Sequence, residues 1–307
     1  MRRRCSCMGP TGPQYDEHPA NHTARNKLMS DKALPRAQLC RLPHISLEYY
    51  QAGHGPRRIL LIHGLEASAR IWAGVQMALP PERYTTVAIN NRGAGNSDTP
   101  PDDAAFSVEA FASDAYAVAL ALGWSTFSLV GHSMGGATAA QMALDHPDCL
   151  EALILLNPAN PGGRPGSRDE LERRIALFLQ MRRERLLQSH AAPGSLHDRA
   201  VASDWRSLLE LDMANTAERR LRGSLRSLHA LHIGDRLHTV TAPTLLACGD
   251  QDEVIALEDM LRTWSVSPAG SGLQVWHGVG HSPNLDYPEH TASLLDQFLS
   301  GSHGSTN

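Results

Sequence analysis

Lysine is almost missing from this chain: only Lys27 and Lys32 carry it, and every later basic side chain is arginine or histidine. With Lys+Arg 28 against Asp+Glu 32 and a formal net charge of −4, no basic stripe or long one-sign run exists to follow a nucleic-acid backbone or an acidic membrane surface. No stretch approaches the roughly 18 uninterrupted apolar residues of a spanning helix. The arginine-rich start also lacks the apolar segment that follows in a secretory signal. These absences exclude nucleic-acid and membrane partners and leave small-molecule chemistry in a soluble, cytoplasmic protein as the expectation. Cysteine is sparse too. The five cysteines (Cys5, Cys7, Cys40, Cys149, Cys248) are an odd number without disulfide-framework spacing, and Cys149 and Cys248 border or lie in strand-like apolar runs, as reduced, packed thiols do. Cys5-Ser6-Cys7 has no companion Cys or His pair at finger-like spacing, so no metal is expected.

At 307 residues there is room for one large α/β domain with an insertion, and for a sizeable buried core. Residues 1–38 are rich in Arg, Pro, Gly, Asn and His without helical or strand periodicity, which predicts a disordered extension. Asp16 and Glu17 argue against a transit peptide, since such segments avoid acids. Met29-Ser30-Asp31-Lys32 resembles a natural start, so the native chain is expected to begin at Met29.

From His44 the pattern changes. His44–Gln51 alternates and predicts an early antiparallel strand closed by the turn cluster Gly53–Pro56. Arg58–Ile62, Tyr84–Ile89, Thr126–Val130, Leu150–Leu156 and Pro243–Cys248 read as strands buried on both faces, and Leu273–Trp276 as a shorter one. Helical patterns alternate with them. The pattern capped by Ser107 sets Val108, Phe111, Ala115, Val118 and Leu122 on one stripe and ends at Gly123, with Tyr116 as core-edge packing. Such alternation predicts an α/β fold: a mostly parallel central sheet with helices on both faces.

Between Asn157 and the strand at Pro243 the strand pattern stops. Leu171, Ile175, Phe178 and Leu179 mark one apolar helix face, with Arg173, Arg174, Arg182 and Arg183 on the other side or at its edges. The plain reading of these arginines is a solvated, salt-bridged face; the sharper one is an anion-binding lid. The expected organisation is an extension over 1–38, an α/β core over 39–157 and 238–302, a helical cap over 158–237, and a flexible tail over 303–307.

Two loops invite a chemical reading. In Asn90-Asn91-Arg92-Gly93-Ala94-Gly95-Asn96-Ser97-Asp98, Asp98 occupies the place of the third glycine of a dinucleotide fingerprint, which makes this a structural loop. Val130-Gly131-His132-Ser133-Met134-Gly135-Gly136 lies between a strand and a helix and has the Gly-x-Ser-x-Gly form of a nucleophile elbow. Ser133 would sit at the sharp corner. Met134 would begin the helix, with an N–H free to face an oxyanion. A serine hydroxyl needs a histidine base, and that base needs an acid. His281, in the glycine-flanked loop after the last strand, fits the base; His63 and His132 are assigned support roles. The loop after the Pro243–Cys248 strand offers Asp250 and Asp252. Asp252, deeper in the loop and just before Val254-Ile255, is preferred over Asp250, which reads as a turn or cap residue. His63-Gly64-Leu65 follows the first buried parallel strand and would supply the Leu65 N–H as second oxyanion donor.

His63-Gly64, Arg92 to Ser97, Gly131 to Gly136, Gly249-Asp250-Gln251-Asp252 and Gly280-His281, in this order and spacing, make residues 44–300 resemble the α/β-hydrolase superfamily, and more closely its capped esterases, lactonases and C–C hydrolases. The resemblance implies Ser133 as nucleophile, Asp252 as acid, His281 as base, Leu65 and Met134 as oxyanion donors, and no cofactor. It adds weight to Asp252 over Asp250. Ser133 argues against epoxide hydrolases and haloalkane dehalogenases of this fold, which carry Asp at the elbow. Asn90 departs from the Asp that many relatives have before the Arg-Gly loop. The implied activity is serine hydrolysis of a small or medium carboxylic ester, thioester or lactone through an acyl-enzyme. Two alternatives stay open: C–C hydrolysis of a diketone-like substrate with the same triad, and a non-catalytic ligand-binding protein of the same fold. The implied partner is a small-molecule substrate; the sequence sets no oligomeric state.

Overall fold

A computed structural model of the chain describes residues 35–191 and 205–301. Most of the expected extension, the Met29 start and the 303–307 tail lie outside the described residues. One eight-stranded sheet runs through the described part: β1 (Arg36–Arg41), β2 (Ser46–Gly53), β3 (Arg57–Ile62), β4 (Tyr84–Ile89), β5 (Phe127–His132), β6 (Leu150–Leu156), β7 (Thr244–Gly249) and β8 (Gly272–Trp276), in the order β1-β2-β4-β3-β5-β6-β7-β8. Only β2 runs against its neighbours; the pairings from β4 across to β8 are parallel. Parallel neighbours cannot be joined by tight turns. The connections carry α1 (Ala73–Ala78), α2 (Val108–Ala121), α3 (Met134–Asp145) and α7 (Leu257–Ser265), while α8 (Pro283–Asp286) and α9 (Pro288–Gly301) follow β8. Between β6 and β7 lie α4 (Arg168–Ala191), α5 (Trp205–Asn215) and α6 (Glu218–Ala230).

The uninterrupted apolar strands are explained by burial on both faces. In β3, Leu60 and Ile62 join Leu129 of β5, Val118 of α2 and Ala139 of α3 on one side, while Ile59 and Leu61 join Trp72, Val75 of α1 and Leu295 of α9 on the other. All four β3 residues have zero exposure, and truncating any of them to Ala is expected to cost about 2–5 kcal/mol. Cys40, Cys149 and Cys248 are buried and unbridged, and burial pushes the Cys248 thiol up to about 11. Among the described residues, no helix is long and apolar enough to cross a membrane.

One boundary needs correction. Residues 36–38, expected within the disordered extension, begin β1, which pairs antiparallel with β2 from Arg36 opposite Gln51 to Arg41 opposite Ser46. Five of its six side chains are exposed and only Cys40 is buried, so this edge strand is held by backbone hydrogen bonds and leaves no apolar alternation to read.

The order of the sheet decides what meets at its carboxyl edge. β3 is central and pairs in parallel with β5, Ile62 opposite Gly131, so the loop at Gly64 and the turn at Ser133 leave the sheet side by side. β6 and β7 come next, Leu156 opposite Ala247, which brings the segments at Asn157 and Asp252 to the same edge.

Candidate active site

β5 ends at His132 and α3 begins at Met134, so Ser133 alone makes the turn, with φ 56 and ψ −121. A non-glycine residue held there stores on the order of 1–3 kcal/mol of strain. Steric contact fixes its neighbours as glycines. A Cβ on Gly131 would lie 2.1 Å from the Gly135 carbonyl oxygen, and one on Gly135 would lie 2.3 Å from that of Ile62. The turn is locked by its own backbone: Ser133 N–H donates to the Leu156 carbonyl at 3.0 Å, and its carbonyl accepts from Gly136 at 2.8 Å and Ala159 at 2.9 Å. As the first residue of α3, Met134 has an N–H outside the intrahelical ladder.

The loop after β3 approaches this turn because Gly64 has no side chain: a Cβ there would be 3.1 Å from Ser133 Cβ. His63 braces the loop. Its Nε2 accepts from the Asn91 N–H at 3.1 Å, so its proton lies on Nδ1, which donates to the Gly64 carbonyl at 2.8 Å. Burial, followed by the Arg220 guanidinium, holds His63 well below 6.5, which keeps it neutral. The Leu65 side chain packs against Phe106, Phe111 and Met134 on one side and Ile175, Leu179 and Leu221 on the other. Leu65 is therefore a joint between the sheet edge and the helices inserted between β6 and β7.

The structure joins Asp252 to His281. His281 Nδ1–H donates to Asp252 Oδ2 at 2.8 Å, which leaves Nε2 as the unprotonated nitrogen of the neutral ring. Asp252 is almost wholly buried, its side chain 1% exposed. Burial alone would raise its carboxyl, but hydrogen bonds from His281, the Ile255 N–H and Asn157 outweigh it and hold the group below 3.8. Oδ1 accepts from the Val254 and Ile255 N–H groups at 2.7 and 2.9 Å, and Oδ2 also accepts from Asn157 Nδ2 at 2.7 Å. The other carboxylate of the loop, Asp250, faces elsewhere: it accepts from His277 Nδ1 and from the Gly278 N–H, both at 2.7 Å, and so fastens the two loops together. His132 reaches the same histidine, donating from Nε2 to the His281 carbonyl at 2.8 Å.

Several contributing residues gave no sequence signal. Asn157, whose amide carries no charge, supports Asp252 and is held at φ 44, a left-handed conformation that Asn tolerates. Asn90 is likewise explained: its Nδ2 donates to Glu48 Oε2 at 2.6 Å and its Oδ1 accepts from the Ala69 N–H at 2.6 Å, so an Asp there would set one carboxylate against another. Arg92 forks onto Asp114 with two bonds of 2.7 Å, which makes the Arg-Gly segment a structural loop.

The arginines of the insertion divide. Arg174 and Arg183 pair with Glu170 and Glu218 on the surface, and Arg173 is exposed. Arg182 is different: 5% exposed, it donates from Nε to Glu66 at 2.8 Å and from Nη2 to the carbonyls of Met213, Ala214 and Thr216, so these two nitrogens are committed to the protein. Arg185 also holds Glu66, and Arg220 donates to the Leu65 carbonyl at 2.8 Å. Arg220, adjacent to Arg219 in an arginine-rich helix, could not be singled out by pattern.

Comparison with known proteins agrees with this architecture. The model of the alpha/beta hydrolase fold family matches residues 57–288. A fluoroacetate dehalogenase from a Burkholderia species is 40% identical over 116 residues, a match that spans 37% of this chain and only 38% of that protein. An uncharacterized protein of Mycobacterium tuberculosis is 28% identical over 268 residues, covering 81% of this chain and 76% of its own. Among solved structures, an esterase from Exiguobacterium antarcticum superposes with a TM-score of 0.72 at 23% identity, covering 86% of this chain and 100% of its own. Family model, sheet order and elbow agree, and the chain belongs to the alpha/beta hydrolase fold family, as an enzyme of the hydrolase class.

Proposed function

We propose that the protein is a serine hydrolase of small or medium carboxylic esters, thioesters or lactones. The observation that carries this reading is the Asp252–His281 hydrogen bond of 2.8 Å, which leaves Nε2 of His281 as the free nitrogen on the sheet edge where the half-buried Ser133 makes its strained turn. Ser133 Oγ attacks the carbonyl and His281 Nε2 takes its proton, while Asp252 fixes the tautomer and stabilises the imidazolium. The N–H groups of Leu65 and Met134 hold the oxyanion, each worth about 10²–10³ in rate. His281 returns the proton to the leaving group, and a water it then deprotonates releases the acid. The helices α4, α5 and α6 between β6 and β7 act as a cap that covers the substrate.

The dehalogenase relative does not redirect this reading, since its match spans a minor part of either chain and the elbow residue here is serine. A panel of esters, thioesters and lactones of graded acyl length, assayed beside Ser133→Ala, tests it. Turnover is expected to fall by at least about 10³-fold in the variant. Full activity in Ser133→Ala on every substrate the wild type accepts would overturn it.

A further inference from the structure

Arg220 lies on α6 with zero exposure, and among the described residues only its Nη1 is engaged, by the Leu65 carbonyl, while Nε and Nη2 have no partner there. A buried cation with unpaired donors is unfavourable unless an anion or acceptor completes it. Among the described residues none supplies one. Glu66 is the carboxylate that acts on Arg220 electrostatically, but its Oε1 already accepts from Arg182 at 2.8 Å and Arg185 at 2.7 Å. The buried Arg182 and Arg220 and the exposed Arg185 thus share one carboxylate, and positive charge is left over beside the Leu65 loop. Arg92 cannot be the source of relief or of further excess, because Asp114 matches it in a fork. His63, neutral, adds no charge.

Further unpartnered polar groups belong to the segments that adjoin Arg220. Gly93 lets the arginine stem lie close, since a Cβ there would be 2.9 Å from Arg220 Cδ and 2.9 Å from Phe106 Cε1. Among the described residues, Asn91 Nδ2, two residues before Gly93, is buried without a partner, and so is Ser224 Oγ, one turn along the same face of α6 from Arg220. A guanidinium fork with a free Nε–H and Nη2–H matches the two oxygens of a carboxylate. The same side chain is bonded to Leu65, whose N–H is the proposed oxyanion donor. We infer that Arg220 anchors a carboxylate carried by the substrate, so that the preferred substrates are monoanionic esters, thioesters or lactones. This inference rests on the serine-hydrolase reading for the word substrate, but the anion site itself does not.

Two measurements separate the two claims. In the first, the Ser133→Ala protein is titrated with succinate, with succinamide as the uncharged control at matched ionic strength, and Tm is followed. Succinate at about one hundred times its Kd is expected to raise Tm by several degrees, succinamide to leave it unchanged, and the added Arg220→Gln substitution to remove the shift. No succinate-specific shift in Ser133→Ala, or the same shift with Arg220→Gln, overturns the anion site. Should the Gln variant not fold, Arg220→Lys, which keeps the charge and loses the fork, is expected to retain a reduced shift; an undiminished one counts against the site. In the second, wild type is assayed on monoethyl succinate and on ethyl butyrate, its uncharged analogue. The expected kcat/KM ratio favours the anion by at least about tenfold, and Arg220→Gln collapses that ratio. Hydrolysis without charge preference overturns the inference alone. A succinate shift with no hydrolysis of any ester sinks the hydrolase reading and leaves the anion site standing.

Discussion

His132 donates its Nε2–H to the carbonyl of His281 at 2.8 Å, a bond between residues 149 positions apart. It ties the residue before the elbow serine to the residue proposed as base, and their ring centroids lie 4.9 Å apart. Burial, then the neighbouring His281, pushes His132 down to about 3, so the ring stays neutral and keeps the proton that this carbonyl needs. Replacing it by Phe keeps an aromatic edge toward Trp72 but removes the donor. With a typical hydrogen bond worth about 1 kcal/mol, kcat is expected to fall roughly fivefold to tenfold with KM little changed. Steady-state kinetics on a short ester checks this; an unchanged kcat would show that the carbonyl bond does not position the base.

The same buried rings set an acid limit on stability. His132 has its folded value lowered from 6.5 to about 3, so between those values the unfolded chain binds the proton and the folded one does not. That contribution is complete above about pH 6.5 and is lost as pH falls toward 3, with His63 acting in the same direction. The expected loss is on the order of a few kcal/mol for His132. Urea melts between pH 8 and 4 should show stability falling over this range, with a shallower slope for His132→Phe. A slope identical in both proteins would remove His132 as a cause.

Asn157 donates to the carboxylate oxygen that also receives His281. In Asn157→Asp a second carboxylate stands there, and its negative charge favours the protonated imidazole. The acid limb of the kcat/KM profile is expected to move up by about half to one pH unit. A limb that stays in place would mean that residue 157 does not act on the pair.

Asn90 bridges the Ala69 N–H and Glu48. Asn90→Asp sets two buried carboxylates face to face and is expected to lower stability by about 2–4 kcal/mol at neutral pH, part of which returns on acidification. Glu48→Gln added to it should restore part of the loss by supplying an amide donor from the other side. Additive effects of the two substitutions in chemical denaturation would argue against the pairing.

The strand pattern, the elbow and the order of the loops could be read from residues alone because each follows from one local requirement: apolar runs for strands buried twice over, and glycines where Gly131 and Gly135 press on backbone. β1 could not be read, since an edge strand with one buried side chain needs no pattern. Neither could Asn157, Glu66 or Arg220. Their contacts join positions about 95, 116 and 155 residues apart, and nothing local to the sequence encodes such distances. Arg182 shows the same limit from the other side: an arginine at the edge of an apolar helix face reads as solvated, yet it is buried on Glu66 and three carbonyls.

The central claim is that Ser133 is a nucleophile activated by His281. Intact-mass and peptide analysis after exposure to a fluorophosphonate probe tests it most directly. The expected result is one adduct per chain, located on the Ser133 peptide, absent in Ser133→Ala and formed at least about 10³-fold more slowly in His281→Ala. An adduct at another residue, or none from a protein that still hydrolyses esters, would contradict it.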